Sequence, residues 1–240
     1  MRKPYPRLDP DAVLWSTPAP AAAADLLVMM HGWSYDERHL FTLRPHLPEG
    51  LAIASLRAPI PEAGGYAWFP SSGNPIGNPR PDVANAAVDS VLAWFDQLPE
   101  YRSVGLMGFS QGGAMVLQMM RRRPSEFAYG VQLGGFVVDD RQPGDAELAA
   151  LRPAVFWGRG ARDHVIPPSA ITRTARFTST HVSLVERVYP DLGHDVAGRE
   201  VSDLSEFVRA ALERDLIAGF SRVVRRTSSN GGTIKNQISG

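Results

Sequence analysis

A serine stands between glycines at the point where a buried strand gives way to a helix. Residues 103–109 form an apolar run, Ser110 lies within the pattern Gly-Phe-Ser-Gln-Gly at 108–112, and a second apolar run follows at once. A strained turn of this kind lifts a serine hydroxyl above the edge of a sheet, and its glycines avoid crowding where strand and helix meet. The pattern predicts that Ser110 is a nucleophile.

A serine hydroxyl is a weak nucleophile at neutral pH, so it needs a base, and the base needs an orienting carboxylate. Asp163 follows a predicted strand in "GRGARDHVIP", and His194 follows the next one in "YPDLGH". Both lie beyond the carboxyl ends of strands, where open α/β sheets hold their active sites. We predict His194 as the base and Asp163 as the acid. Asp191 and Asp195 are alternatives for the acid, although both flank His194 too closely to orient its ring well.

The sequence contains six histidines, and the other five are weaker candidates for the base. His31 closes the first strong strand, and His164 is a bystander beside Asp163. The remaining three are expected on the solvated surface: His39, His46 and His181.

Acyl transfer also needs hydrogen-bond donors for the oxyanion. In this type of turn the residue after the nucleophile, here Gln111, supplies one backbone N–H. The second is expected from the loop that follows the strand ending in "VMMHGW", where Trp33 is the candidate. An ordinary strand exit at His31-Gly32 is the alternative interpretation of that loop.

Short apolar runs alternate with helical patterns along the chain, which predicts an α/β fold. The runs are continuous rather than alternating, as is typical of parallel strands that are buried on both faces. The predicted strands span 26–31, 51–56, 103–109, 129–136, 154–158 and 182–189, and the clearest helices span 80–98 and 198–216. Residues 61–82 are rich in Pro, Gly, Ser and Asn, and we expect a long loop there.

Composition and the lengths of apolar runs limit which partners, which location and which domain organisation are expected. The 240 residues include 25 basic and 25 acidic side chains and no cysteine, so no nucleic-acid partner, disulfide or thiolate site is expected. The apolar run at 26–30 is too short for a membrane anchor, and the first residues carry no signal-peptide pattern, so a cytoplasmic location is the default. We expect one domain over 1–220, a disordered basic tail over 221–240, and a monomer or homodimer.

These motifs together resemble the phospholipase/carboxylesterase family of α/β-hydrolases, which includes bacterial carboxylesterases and acyl-protein thioesterases. The matching pieces occur in the family's order between residues 26 and 194: "MMHGW", "YAWF", "GFSQGGAM", "GRGARDHVIP" and "YPDLGH". The resemblance implies an α/β-hydrolase fold, with a mostly parallel, doubly wound sheet flanked by helices, and catalysis without cofactor or metal. Residues 137–153 are too few for a separate cap domain, so we expect an open site.

The resemblance also implies roles for individual residues. Ser110, Asp163 and His194 match the family's triad, and Trp33 and Gln111 match its oxyanion-hole donors. Trp68 and Phe69 match a motif near the substrate groove, although a loop anchored on the core is an equal alternative for this pair. With Ile76, they are the predicted substrate-binding residues. The chain departs from many members in the stretch "WSYDE" after Gly32 and in the proline that follows Phe69.

The function expected from these residues is that of a serine carboxylesterase. It would hydrolyse small-molecule esters of short to medium acyl chains through an acyl-enzyme intermediate. An acyl-protein thioesterase or lysophospholipase, a serine peptidase, and a non-catalytic binding protein on a hydrolase scaffold are the alternatives.

Overall fold

The strands and helices of the chain alternate along most of its length. The computed structural model describes residues 4–17 and 24–217. The strands in these residues are β1 (Leu14–Trp15), β2 (Asp25–Met30), β3 (Ala52–Leu56), β4 (Ile60–Glu62), β5 (Gly65–Ala67), β6 (Ser103–Phe109), β7 (Tyr129–Leu133), β8 (Ala154–Gly160) and β9 (Ser183–Tyr189). The α-helices are α1 (Arg38–Phe41), α2 (Pro81–Phe95), α3 (Gln111–Arg122), α4 (Asp145–Leu151), α5 (Pro168–His181) and α6 (Arg199–Ile217). Both α2 and α5 begin with a proline, which suits the first turn because its missing N–H would have no partner there.

Seven strands form the central sheet in the order β1-β3-β2-β6-β7-β8-β9. Every neighbouring pair is parallel except β1 and β3. The predicted α/β fold with a mostly parallel sheet is therefore confirmed. The strand order reverses at β2, because β3 lies on one side of it and β6 on the other. Open α/β sheets bind ligands outside the carboxyl ends of their strands at such a switch point.

Both faces of the sheet are buried, and β2 shows how the sequence achieves this. Leu26, Val28 and Met30 belong to a core shared with α2 and α3. Leu27 and Met29 belong to a second core with residues of α1 and α6. Because successive side chains of a strand point to opposite faces, a continuous apolar run is what a strand between two helical layers requires.

The predicted strand over 129–136 ends earlier, at Leu133. Gly134 has a φ of 51°, in the left-handed region, so the backbone turns away from the extended conformation there. The edge strand β1 was not predicted, since two residues are too few to show a period.

The region predicted as one long loop, residues 61–82, overlaps a hairpin of β4 and β5. The two residues between these strands, Ala63 and Gly64, have φ values of 53° and 82°. Positive φ at both positions is typical of the two-residue turn that joins hairpin strands. The stretch "PEAGGYAW", with its glycines between two short segments, was therefore the sequence signal for this hairpin.

The chain between β7 and β8 contains only α4, which packs against α3 and α5. Within the described residues it forms no cap domain. Within residues 4–17 and 24–217, no helix is long and apolar enough to cross a membrane. The predicted tail over 221–240, with the domain boundary at 220, lies outside the described residues.

Candidate active site

Ser110 occupies the strained turn between β6 and α3. Its φ of 54° and ψ of −113° are unusual for a residue with a side chain, and such strain is concentrated at functional sites. The turn is held by the Ser110 N–H, which donates to the carbonyl oxygen of Leu133 at 2.9 Å. A Cβ at Gly112 would lie 1.9 Å from the carbonyl oxygen of Met30, so no larger residue fits there. Strand and helix can approach this closely only because of that glycine.

The side chains of Ser110, His194 and Asp163 form a continuous hydrogen-bonded chain. The Ser110 Oγ lies 2.9 Å from Nε2 of His194, and the His194 Nδ1 lies 2.7 Å from Oδ2 of Asp163. A carboxylate only accepts hydrogen bonds, so Nδ1 carries the ring proton and donates a hydrogen bond to Asp163. The unprotonated Nε2 is then free to accept the proton of the Ser110 hydroxyl. This is the arrangement that activates a serine.

The second oxygen of Asp163 is held by the backbone of the loop that follows it. Oδ1 accepts from the N–H groups of Val165 and Ile166 at 2.8 and 3.1 Å. Burial raises the pKa of the Asp163 carboxyl, but hydrogen bonds from His194 and from these two N–H groups outweigh it and hold the pKa below its usual value. Asp163 therefore faces His194 as a carboxylate.

The carboxylates of the two alternative acids bond to groups other than the His194 ring. Asp191 is exposed and pairs with Arg162 at 2.7 Å. Asp195 is also exposed, and its Oδ1 accepts from the N–H of Val196 at 2.7 Å. Of the three candidates, only Asp163 has a side chain placed to orient the imidazole.

The ring of His194 is enclosed by an aromatic residue and a glycine. Its centroid lies 4.8 Å from that of Phe109, at an angle of 36°. A Cβ at Gly134 would lie 3.4 Å from two ring atoms of His194. The contact with Phe109 limits the movement of the imidazole, and the glycine at position 134 leaves room for the ring.

The two predicted oxyanion donors lie on the same cavity as His194. Gln111 is the first residue of α3, so its N–H has no acceptor within the helix. Trp33 follows the end of β2, and both residues line the cavity. Among the described residues, the Trp33 N–H donates to no protein acceptor.

The cavity has a volume of about 540 Å³, within the usual range of small-molecule sites. Most of its wall is apolar or aromatic, and no Asp, Glu, Lys or Arg lines it. The lining residues are Trp33, Ser34, Tyr35, Phe69, Ser71, Asn74, Pro75, Ile76, Gly77, Phe109, Gln111, Phe136, Val165 and His194. Two predicted substrate-binding residues, Phe69 and Ile76, are therefore on its surface.

Trp68, which was predicted to bind substrate, does not line the cavity. Its side chain is 0% exposed, and its Nε1 donates to the carbonyl oxygen of His31 at 2.8 Å. Its backbone N–H donates to Oε1 of Gln111 at 3.0 Å, and the Gln111 amide donates in turn to the carbonyl of Phe69. Trp68 thus anchors its loop on the core, which places the neighbouring Phe69 at the cavity.

His31 is part of the same anchoring network. Its Nε2 accepts from the N–H of Ala58 at 3.0 Å, and its Nδ1 donates to the carbonyl of Gly32 at 2.7 Å. Burial lowers the pKa of His31 to about 4, so the ring is neutral and both bonds persist at neutral pH. The ring therefore holds the turn that leads to Trp33.

His39 is not the solvated surface residue that the sequence predicts. Its ring is half-buried and stacks on Tyr35 at 3.9 Å, and burial lowers its pKa. Four aromatic or aliphatic residues of the cavity wall were not predicted from the sequence: Tyr35, Phe109, Phe136 and Val165. The available signal was position, because Phe109 adjoins Ser110 and Val165 follows Asp163 in the same loop.

The phospholipase/carboxylesterase family matches residues 78–212, more than half of the chain. The chain belongs to this family. It is thus a serine hydrolase of ester substrates, and the matched residues include Ser110, Asp163 and His194. The comparison with curated proteins gave no match.

Solved structures share the fold of this phospholipase/carboxylesterase-family protein. A carboxylesterase from Bacillus cereus has a TM-score of 0.71 at 14% identity, over 83% of this chain and 93% of its own. Esterase PE8 has a TM-score of 0.66 at 21% identity, over 85% and 99%. SOBER1 from Arabidopsis thaliana has a TM-score of 0.63 at 21% identity, over 80% and 100%. At these identities the likeness concerns the fold and not the substrate.

The described part of this family member contains no group of three His, Asp or Glu side chains that could hold a metal ion.

Proposed function

We propose that this protein is a carboxylesterase that hydrolyses esters of short to medium acyl chains through a Ser110-His194-Asp163 triad. The observation that carries the proposal is the hydrogen-bonded chain from Ser110 through His194 to Asp163, which starts at a strained turn beside an apolar cavity. A binding protein would have no use for a base held 2.9 Å from a serine hydroxyl.

In the proposed first step His194 takes the proton of Ser110 at Nε2 while Oγ attacks the ester carbonyl. The backbone N–H groups of Trp33 and Gln111 stabilise the oxyanion that forms. Asp163 stabilises the imidazolium through Nδ1–H, and His194 then protonates the departing alcohol. Water repeats the sequence on the acyl-enzyme and releases the acid.

The cavity supports a short to medium acyl group. Phe69, Ile76 and Phe109 give it apolar surface, and no charged side chain is present to favour a charged substrate. Each methylene removed from water contributes up to about 0.8 kcal/mol, or about fourfold in kcat/KM. We expect kcat/KM to rise from acetate to butyrate and to level off by octanoate, where the chain fills the open cavity.

Hydrolysis of p-nitrophenyl acetate, butyrate and octanoate by the intact protein and by Ser110→Ala tests the proposal. The variant should lose at least about three powers of ten in kcat. Ser179→Ala, a matched change of an exposed serine on α5, should keep the activity of the intact protein. If Ser110→Ala keeps most of the esterase rate, the triad is wrong. If kcat/KM climbs steeply from butyrate to octanoate, the open cavity is wrong.

A further inference from the structure

Two segments of the chain supply most of the cavity wall. One is the Trp33 segment, residues 33–35, and the other is the Ile76 segment, residues 69–77. They belong to different loops, one after β2 and one after β5. Their separation determines how wide a group the cavity can accept.

One carboxylate bonds to both segments without lining the cavity itself. Oε2 of Glu62 accepts from the indole Nε1 of Trp33 at 3.1 Å. Both oxygens lie 3.1 Å from the backbone N of Ser71, whose hydroxyl also donates to Oε1. Glu62 therefore joins a residue of the Trp33 segment to a residue of the Ile76 segment.

The element that carries Glu62 is fixed to the Trp33 segment. Glu62 ends β4, and β4 pairs with β5. From β5, the Tyr66 N–H donates to the carbonyl of Tyr35 at 2.9 Å, and the Tyr66 carbonyl accepts from the N–H of Ser34 at 3.0 Å. The carboxylate thus projects from a hairpin whose position relative to Trp33 is already determined, and it reaches across to Ser71.

Only a carboxylate satisfies this set of donors. An indole N–H, a backbone N–H and a hydroxyl all point at two oxygens, and a carboxylate has enough lone pairs for all three. Burial raises the pKa of Glu62, but hydrogen bonds from Ser71 and Trp33 outweigh it and leave the pKa below its usual value. Glutamine would present one acceptor oxygen and a donor group that faces other donors.

We propose that Glu62 is a specificity-determining residue that positions Trp33 and Ser71 and thereby sets the width of the acyl cavity. This inference rests on the proposed esterase function. Trp33 is 40% exposed, and the hydrogen bond from its indole N–H to Glu62 restrains the ring against turning into or out of the cavity. A long acyl chain, which touches both segments, depends on this restraint more than an acetyl group does.

The test compares kcat and KM for p-nitrophenyl acetate and octanoate in the intact protein, Glu62→Ala, Glu62→Gln and Trp33→Phe. In Glu62→Ala the octanoate-to-acetate ratio of kcat/KM should fall about three- to tenfold, mainly through a higher KM for octanoate. Glu62→Gln should fall between it and the intact protein. Trp33→Phe keeps the ring but lacks the donor, so adding it to Glu62→Ala should lower the ratio by less than the product of the two single effects.

Glu213→Gln, a matched change at an exposed position of α6, should leave the ratio unchanged. A purely structural role for Glu62 would lower the melting temperature and the activity with both esters equally. An unchanged ratio in Glu62→Ala therefore overturns the inference, whatever its effect on stability.

A second readout does not depend on turnover. Acrylamide quenching of Trp33 fluorescence, taken as the difference between each protein and its Trp33→Phe counterpart, should increase in Glu62→Ala because the indole is released. Unchanged quenching would refute the inference even in a protein that hydrolyses neither ester. Absence of hydrolysis by the intact protein would refute the proposed function instead.

Discussion

Replacement of Asp163 by asparagine should reverse the tautomer of His194. The backbone N–H groups of Val165 and Ile166 bond to Oδ1, so they will hold the amide oxygen of the new side chain in the same place. The amide NH2 must then face Nδ1 of His194, which lies 2.7 Å from Oδ2 in the native protein. Two donors cannot face each other, so the ring proton moves to Nε2, where it blocks proton transfer from Ser110.

Two magnitudes separate this tautomer effect from simple loss of a contact. A hydrogen bond to a charged group is worth about 1.5–3 kcal/mol, so its loss alone predicts a decrease of about 10- to 150-fold in kcat. Where an Asp→Asn substitution in a Ser-His-Asp triad inverts the tautomer of the histidine, kcat falls by about four powers of ten. Because the N–H groups of Val165 and Ile166 leave the amide no other orientation, we expect kcat to fall by at least about three powers of ten in Asp163→Asn.

The assay is kcat for p-nitrophenyl butyrate at neutral pH, with circular dichroism to show that each variant is folded. Asp195→Asn makes the same chemical change one residue from His194 on an exposed side chain, and its activity should match the intact protein. Asp163→Ala should retain more activity than Asp163→Asn, because water can accept from Nδ1 once the amide is absent. A loss in Asp163→Asn of no more than about 150-fold, which loss of the hydrogen bond alone explains, would refute the tautomer argument.

Two further predictions concern stability. Gly112→Ala should fail to fold, or should melt far below the intact protein in thermal unfolding, because its Cβ would meet the carbonyl oxygen of Met30. Gly193→Ala is the control: its Cβ would meet nothing closer than 3.8 Å, so this variant should melt almost normally. Burial, with Asp195 and Asp203 nearby, raises the pKa of Glu200 from 4.5 to about 8, so the folded chain binds a proton that the unfolded chain releases between these values. The free energy of unfolding should therefore fall by at most about 5 kcal/mol as pH rises from 4.5 to about 8. Urea unfolding at several pH values measures this fall, which should be smaller in Glu200→Gln. An equally steep fall in the variant would contradict the burial argument.

The strained turn at Ser110 could be predicted from the sequence because it depends on neighbours in the chain. Gly112 and Ser110 lie within one strand–turn–helix unit, and the glycine is required by a close approach that any side chain would prevent. The strands were also readable, since burial between two helical layers requires continuous apolar runs such as Leu26 to Met30.

The sequence also narrowed the acid to three aspartates, and the structure distinguishes between them. Asp163 is 31 positions from His194 yet bonds to it, whereas Asp195, the next residue in the chain, does not. The reason is that a side chain orients the imidazole only from across the site, where the loop after β8 meets the loop after β9. The proximity of these two loops depends on the order of strands in the sheet, which no local sequence pattern predicts.

Trp68 and Phe69 mark the limit of prediction from residue type. Both are aromatic and adjacent, but Trp68 is buried on His31 while Phe69 lines the cavity. The contacts of Glu62 were even less predictable from residue type, because its partners Trp33 and Ser71 lie on separate loops. The sequence by itself determined the chemical groups and the local strand–turn–helix unit that holds Ser110. The tertiary structure alone decided which distant groups meet, because hydrogen bonds of 2.7–3.1 Å across loops depend on how the sheet and its helices pack.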